Sequence, residues 1–289
     1  MVFLFLSILA NAAIFFLFKL FDRYGVQTLP AIVVNYFVAF TIGVLVVPDM
    51  SLALANAMEF PRWFWGGISL GVLFILVFNL TGTTARVIGV SVTTIASKMS
   101  LALAVLLFVW VDPNERLTLT KGVAILVAMA GVYFSSLKSD GRRLNIRSFA
   151  LPALILLGST GVDFGIAYFS SFPQNEHELK LYSCLSFGMA GLCGVGYLGY
   201  GLSKGTVELT SRDIIGGLVL GAINYGSIIF LVLAYDSGIM QKSALLPINN
   251  LGVVLVSALV AVLLFKERLT RYNWLGVVLS LLALVLLVV

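Results

Sequence analysis

From Tyr272 to Val289 the chain reads YNWLGVVLSLLALVLLVV, eighteen residues without a charge. A helix needs about 20 mostly apolar residues to cross the hydrocarbon of a bilayer. This run is one of ten, the others being 2–20, 28–47, 63–83, 89–111, 119–137, 149–171, 179–201, 213–235 and 239–265. No soluble core in a chain of 289 residues hides ten such runs. Only 11% of the residues are charged, against about 25% in a soluble domain. The solvent of this chain is therefore expected to be partly lipid. In lipid every backbone N–H and C=O must be satisfied within the chain, and a helix does this segment by segment. The expectation is an all-α integral membrane protein with ten transmembrane helices. The first run has no basic residue before it and exceeds a signal-peptide core, so it counts as a span. Trp63, Trp65, Trp110 and Trp274 fall at run ends, where an aromatic belt belongs.

Other classes find little support. The net charge of +5 is spread over short connectors and gathers on no face, which argues for membrane orientation and against a nucleic-acid partner. His177 is the only histidine, and HExxH, CxxC and P-loop motifs are missing, so neither an enzyme nor a cofactor or metal site is expected. Cys184 and Cys193 are nine residues apart in one run, roughly 13 Å along a helix and too far for a disulfide.

Internal similarity sharpens the picture. Gly66-Gly67-Ile-Ser-Leu70-Gly71 returns as Gly216-Gly217-Leu-Val-Leu220-Gly221, 150 residues later. Glu115-Arg116-Leu117-Thr118 returns as Glu267-Arg268-Leu269-Thr270, 152 residues later. The glycines opening runs four and nine, Gly89 and Gly238, are 149 apart. Five runs separate each motif from its copy. Five is odd, so the second half enters the membrane upside down. The expected organisation is two inverted five-helix repeats, 1–138 and 149–289. Inverted repeats are a transporter signature, with a midplane site exposed to each side in turn.

With five plus five runs, an ERLT closing an apolar run in each half, Gly122 and Gly276 a few residues later, and Pro247 inside run nine, the whole chain resembles the EamA-like members of the drug/metabolite transporter superfamily. The first half departs from the pattern, because Lys98 stands where Pro247 has its repeat partner. The resemblance implies a secondary transporter without a cofactor. It also implies a central cavity lined by helices four and six.

Lys98 and Asp163 are the two charged residues deep in runs. Lys98 lies about 13 and 20 Å from the two ends of its run, and a lysine stem reaches roughly 6 Å. It cannot snorkel to either surface. An unpaired charge at helix centre costs about 2.5–3.5 kcal/mol on insertion scales. Lys98 therefore needs a wet cavity or a partner, and the resemblance implies that Asp163 meets it in that cavity. The bland alternative is a fixed ion pair. Asn11, Asn35, Asn79, Asn224, Tyr225, Gln241, Asn249 and Asn250 are further mid-run candidates for substrate contact, and helix-to-helix hydrogen bonding explains each one as well. The glycine motifs read as close helix packing, and the ERLT motifs as helix caps.

The function expected is a transporter, an exporter or facilitator, of small polar or amphipathic metabolites such as amino acids. Protons are a candidate coupling ion through Asp163. The rival reading is a channel or lipid scramblase, which would need a continuous polar stripe. The sequence leaves the oligomeric state open. The expected place is the bacterial inner (cytoplasmic) membrane. Twelve of the eighteen lysines and arginines fall in one alternate set of connectors and five in the other. The positive-inside rule then puts both chain ends, Glu115 and Asp236 outside and Arg142 and Arg143 in the cytoplasm, whereas the family is usually drawn with both ends inside. A C-terminal GFP fusion tests this in bacteria, where GFP fluoresces only in the cytoplasm. A dark fusion is expected, and a bright one reverses the orientation.

Overall fold

The structure is a computed structural model and describes residues 2–47, 49–111, 117–137, 146–169, 171–237 and 242–287. Among them the regular structure is all helical. The helices are α1 (Val2–Tyr24), α2 (Thr28–Val46), α3 (Met50–Ala57), α4 (Arg62–Val87), α5 (Val90–Lys98), α6 (Ser100–Val111), α7 (Leu119–Ser136), α8 (Ile146–Phe169), α9 (Glu176–Ser203), α10 (Ser211–Asp236), α11 (Lys242–Leu263) and α12 (Arg271–Leu286). Eight spans are long and apolar enough to cross a membrane, counting Val90–Val111 as one, and α7 and α12 are shorter apolar helices. This is the architecture of a multi-pass, all-α membrane protein.

Three expectations are corrected. The fourth run is two helices, α5 and α6, because the ladder is interrupted at Met99. The connector 48–62 holds the helix α3, capped by Asp49, whose carboxylate accepts from the backbone N–H of Leu52 at 3.0 Å. That bond, with a second from Ser51, holds the Asp49 carboxyl below its ordinary range. Trp63 is not part of a belt: it is buried with Leu70, Leu181 and Tyr182, while Trp65, Trp110 and Trp274 are exposed.

The chain divides into two compact units. Unit 1 is Met1–Lys19, Leu80–Thr160 and Gly226–Val289, and unit 2 is Leu20–Asn79 and Gly161–Tyr225. Each unit draws on both sequence halves.

In unit 1, α7 packs most extensively on α12. The contact is reciprocal. A Cβ on Gly131 would strike the Ser280 side chain, and one on Gly276 would strike the backbone of Ser135. Gly131 with Ser135 and Gly276 with Ser280 thus face each other antiparallel, the glycine of each helix against the serine of the other. Asn273 closes the pair. Its amide donates to the carbonyls of Ser135 (2.6 Å) and Leu137 (2.8 Å), which end α7 without intrahelical donors. The outer faces of both helices, with Leu126 and Val278, are exposed, as lipid-facing surfaces are.

In unit 2, α2 packs antiparallel on α9. Gly43 faces Cys184, Phe40 faces Gly188, and Val33 faces Gly194. The repeated glycine motif has the same use twice. Gly67 and Gly71 of α4 sit against the carbonyls of Tyr182 and Ser186 on α9, while Gly217 and Gly221 of α10 sit against the Ala31 carbonyl and the Asn35 backbone on α2. Other glycines are not used this way: a Cβ at Gly196 or Gly199 of α9 would meet nothing within 4 Å. Asp213 ties the start of α10 to the start of α2. It accepts from the backbone N–H of Gln27 at 2.6 Å and from Thr210 at 2.8 Å.

Gly276 and Gly122 should respond oppositely to alanine. At Gly276 the new methyl meets backbone, so Gly276→Ala should cost about 1–3 kcal/mol. Gly122 is helical with nothing within 4 Å, so Gly122→Ala should stabilise by up to about 1 kcal/mol. Thermal unfolding in detergent measures both.

Candidate functional site

α5 begins at Gly89, whose φ of +133° admits only glycine readily. No local side chain caps it. The cap comes from far along the chain: Glu267 accepts from the Val90 N–H at 2.9 Å, and its carboxylate fills the space beside Gly89. The expectation that ERLT motifs are caps holds for Thr118 and Thr270, which cap α7 and α12. Glu267 caps a helix of the opposite half. Glu115 lies outside the described residues.

α5 ends at Lys98, and hydroxyl chemistry accounts for the break. Thr93 and Thr94 return hydrogen bonds to the carbonyls of Gly89 (2.7 Å) and Val90 (2.9 Å), and Ser100 returns one to Ser97. Side chains that compete for helix carbonyls bend helices. The Met99 N–H still bonds back to Ile95 (2.9 Å), but the Ala102 N–H bonds only three residues back, to Met99 (3.1 Å). Lys98 thus occupies the last turn of a half-helix, where the carbonyl end of the dipole favours a cation.

Around Lys98 unit 1 assembles a polar line. The Lys98 ammonium donates to Asn11 Oδ1 at 3.5 Å, Asn11 Nδ2 donates to the Ser7 carbonyl at 3.2 Å, and Ser7 Oγ donates to the Ser227 carbonyl at 3.1 Å. A second line runs beside the break. Ser97 and Ser159 share a hydrogen bond of 3.5 Å, and Thr160 donates to the Ser100 carbonyl at 3.4 Å. Lys98 and Asn11, both sequence candidates, are therefore brought together. Ser7, Ser97, Ser159 and Thr160 were not foreseen. A lone hydroxyl in an apolar run looks like any serine that bonds its own helix, and only the fold shows which ones meet.

Asn249 and Asn250 sit in α11 just after Pro247 and are 2% and 5% exposed. The Oδ1 of each is buried without a hydrogen-bond partner. Each such orphan costs roughly 1–3 kcal/mol. Pro247 has no N–H to give the carbonyl of Ser243 within α11.

Unit 2 holds the remaining candidates. Asn224 Nδ2 donates to Asn35 Oδ1 at 3.1 Å, a bridge from α10 to α2 at the point where Gly221 lets them approach. Asn35 is fully buried, and its own Nδ2 lacks a partner. Beside it Tyr36 packs among Phe74, Phe78 and Phe187, with centroids 6.4, 5.8 and 6.4 Å away. Asn79, Asp163 and Tyr225 are half-buried on α4, α8 and α10. Gln241 lies outside the described residues, as do Arg142 and Arg143. Among the described residues no three His, Cys, Asp or Glu converge as metal ligands would.

No protein-family profile matches the chain. A protein of Haemophilus influenzae described as uncharacterized is 26% identical over 288 residues, spanning 95% of this chain and 93% of the relative. The likeness therefore runs over nearly the whole length of both chains.

Glu267→Ala should remove the α5 cap and lower stability by about 1 kcal/mol. Gly89→Ala should cost more, since it meets both a strained φ and the carboxylate. The double variant should lose less than the sum, because the alanine no longer meets Glu267. Unfolding midpoints of the three proteins measure this.

Proposed function

We propose that the chain is a secondary transporter of small polar or amphipathic metabolites, with amino acids as the leading class, working as an exporter or facilitator by alternating access. The observation that carries this reading is Lys98. A cation too deep to reach either surface lies at an interruption in its helix, bonded to a neutral asparagine. Half-helix ends at mid-membrane are where transporters hold polar substrates.

In this reading α7 and α12 also cross, giving ten spans in two inverted five-helix repeats, as the resemblance to EamA-like drug/metabolite transporters implies. Three helix pairs support it. α2 with α9, α5 with α11 and α7 with α12 each join an element to its counterpart about 150 residues on, and each pair packs antiparallel. A two-fold axis makes such contacts reciprocal, as Gly131–Ser280 and Ser135–Gly276 are. The bacterial relative supports the inner membrane as the location.

In unit 1, Lys98 is proposed to take an anionic substrate group, with Asn11 as a polar contact; in unit 2, Asp163 is the candidate proton carrier and Asn79, Asn224 and Tyr225 are candidate polar contacts. Proteoliposomes loaded with unlabelled amino acids and given labelled ones outside test the reading by counterflow. Saturable uptake is expected, and non-saturating flux would mean a channel. Losing a hydrogen bond to a charged group costs about 1.5–3 kcal/mol. Lys98→Met should therefore reduce uptake at least about tenfold, since 1.4 kcal/mol is one decade. The swap of Lys98→Asp with Asp163→Lys separates a functional cation from a strut. Normal uptake by the swapped protein would make Lys98 purely structural.

A further inference from the structure

Within unit 1, Val253 of α11 packs in one cluster with Ala12 and Phe15 of α1 and Val90 of α5. It marks the seam where the three helices meet. Asn249 and Asn250 lie four and three residues before Val253, so they flank its face one turn, about 6 Å, toward the start of α11. α5 runs antiparallel to α11, with Val90 at the Glu267 end. Eight residues of α5 carry the chain from Val90 to Lys98, about 12 Å in the same direction. Asn11 lies one residue before Ala12 on the third wall of the seam, and it holds the Lys98 ammonium at 3.5 Å. One seam therefore presents a cation, Lys98, and next along it two buried acceptors, Asn249 Oδ1 and Asn250 Oδ1, without donors.

From this we infer that Asn249 and Asn250 form the ammonium subsite of a zwitterion-binding site whose carboxylate subsite is Lys98, so that the ligand is an α-amino acid with both of its charged groups free. The inference rests on the transport reading and deepens it. A primary ammonium brings three donors, which is what a cluster of unpartnered acceptors lacks. The acceptors are neutral, so the site is complete only when the ligand supplies the charge. An empty site keeps its orphans buried, and the ligand relieves them.

The test uses the purified full chain in nanodiscs, in sodium-free choline buffer. Thermal unfolding is followed with each of the twenty L-α-amino acids, their N-acetyl derivatives and the matching des-amino acids. At least one free amino acid should raise the midpoint, its N-acetyl derivative should not, and the des-amino acid should bind at least about tenfold more weakly, having lost the charge-assisted bonds. The double variant Asn249→Leu/Asn250→Leu should lose the amino-acid shift and, with its orphan acceptors gone, unfold above the ligand-free wild type. Asn249→Asp keeps an acceptor at the site and should keep the shift, which guards against a double variant that fails to fold. The inference is overturned if N-acetyl derivatives act as well as free amino acids, if the double variant keeps the shift, if no amino acid moves the midpoint, or if sodium chloride alone reproduces the whole rise. Counterflow on the same proteins separates the two ideas. A double variant that transports amino acids normally removes the subsite and leaves transport standing. A wild type that binds amino acids and moves none leaves the subsite standing and removes transport.

Discussion

Hydrocarbon offers no hydrogen-bond partner, and most of this structure follows from that lack. A helix satisfies its own interior but leaves donors at one end and acceptors at the other. Here several ends are closed by a residue from a distant helix. Glu267 closes the start of α5, Asp213 the start of α2, and Asn273 the end of α7. Each cap is therefore also a tie between two elements. Lipid tails are as apolar as leucine, so burial alone gives helices little reason to associate. Ties at the ends and close contact along the sides have to supply it.

Glycine supplies the close contact. Where α7 crosses α12, and where α4 and α10 cross α9 and α2, backbone lies against backbone with no room for a side chain. Small residues maximise dispersion contact and bring carbonyls and hydroxyls within reach. The Asn35–Asn224 bond shows the consequence, since it forms beside the Gly221 contact. Packing of this kind has few ways to slip, and the reciprocal arrangement at Gly131 and Gly276 fixes register as well as distance.

These causes also decide how much was legible in the sequence. The apolar runs were, because hydrophobicity is summed over twenty residues and single exceptions do not matter. The contacts of Gly67, Gly71, Gly217 and Gly221 were, because both copies keep glycine. Gly131 escaped, because Gly122 stands nearer the ERLT motif and takes the eye as the partner of Gly276, although a Cβ on Gly122 would meet only open space. The break at Met99 escaped because no proline or glycine marks it, and the hydroxyls responsible are common in helices that do not break. The helix α3 escaped because eight residues carry too little periodicity to read. Lys98 was legible as an anomaly, but its Asn11 partner was not, since the two are 87 residues apart and many mid-run polar residues competed for the role.

The last step concerns why the two halves differ where they do. On the proposed repeat, position 98 corresponds to 247: α5 ends at the first, and α11 runs on through the proline at the second. Proline withholds a donor within α11, and the Oδ1 atoms of Asn249 and Asn250 just after it are buried without partners. The serine-rich turn at 97–100 breaks the other span while its hydroxyls bond the local carbonyls, and the lysine there adds donors. One position thus presents acceptors and the other a cation. A symmetric pair of prolines would make both sides of the seam acceptors, suited to a cation. On the proposed transport reading, Lys98 in place of a second proline makes a polarised frame that would orient a ligand with two unlike ends. On that same reading, the packing residues are repeated because the frame is shared, and the residues at 98 and 247 diverge because such a ligand needs two different walls.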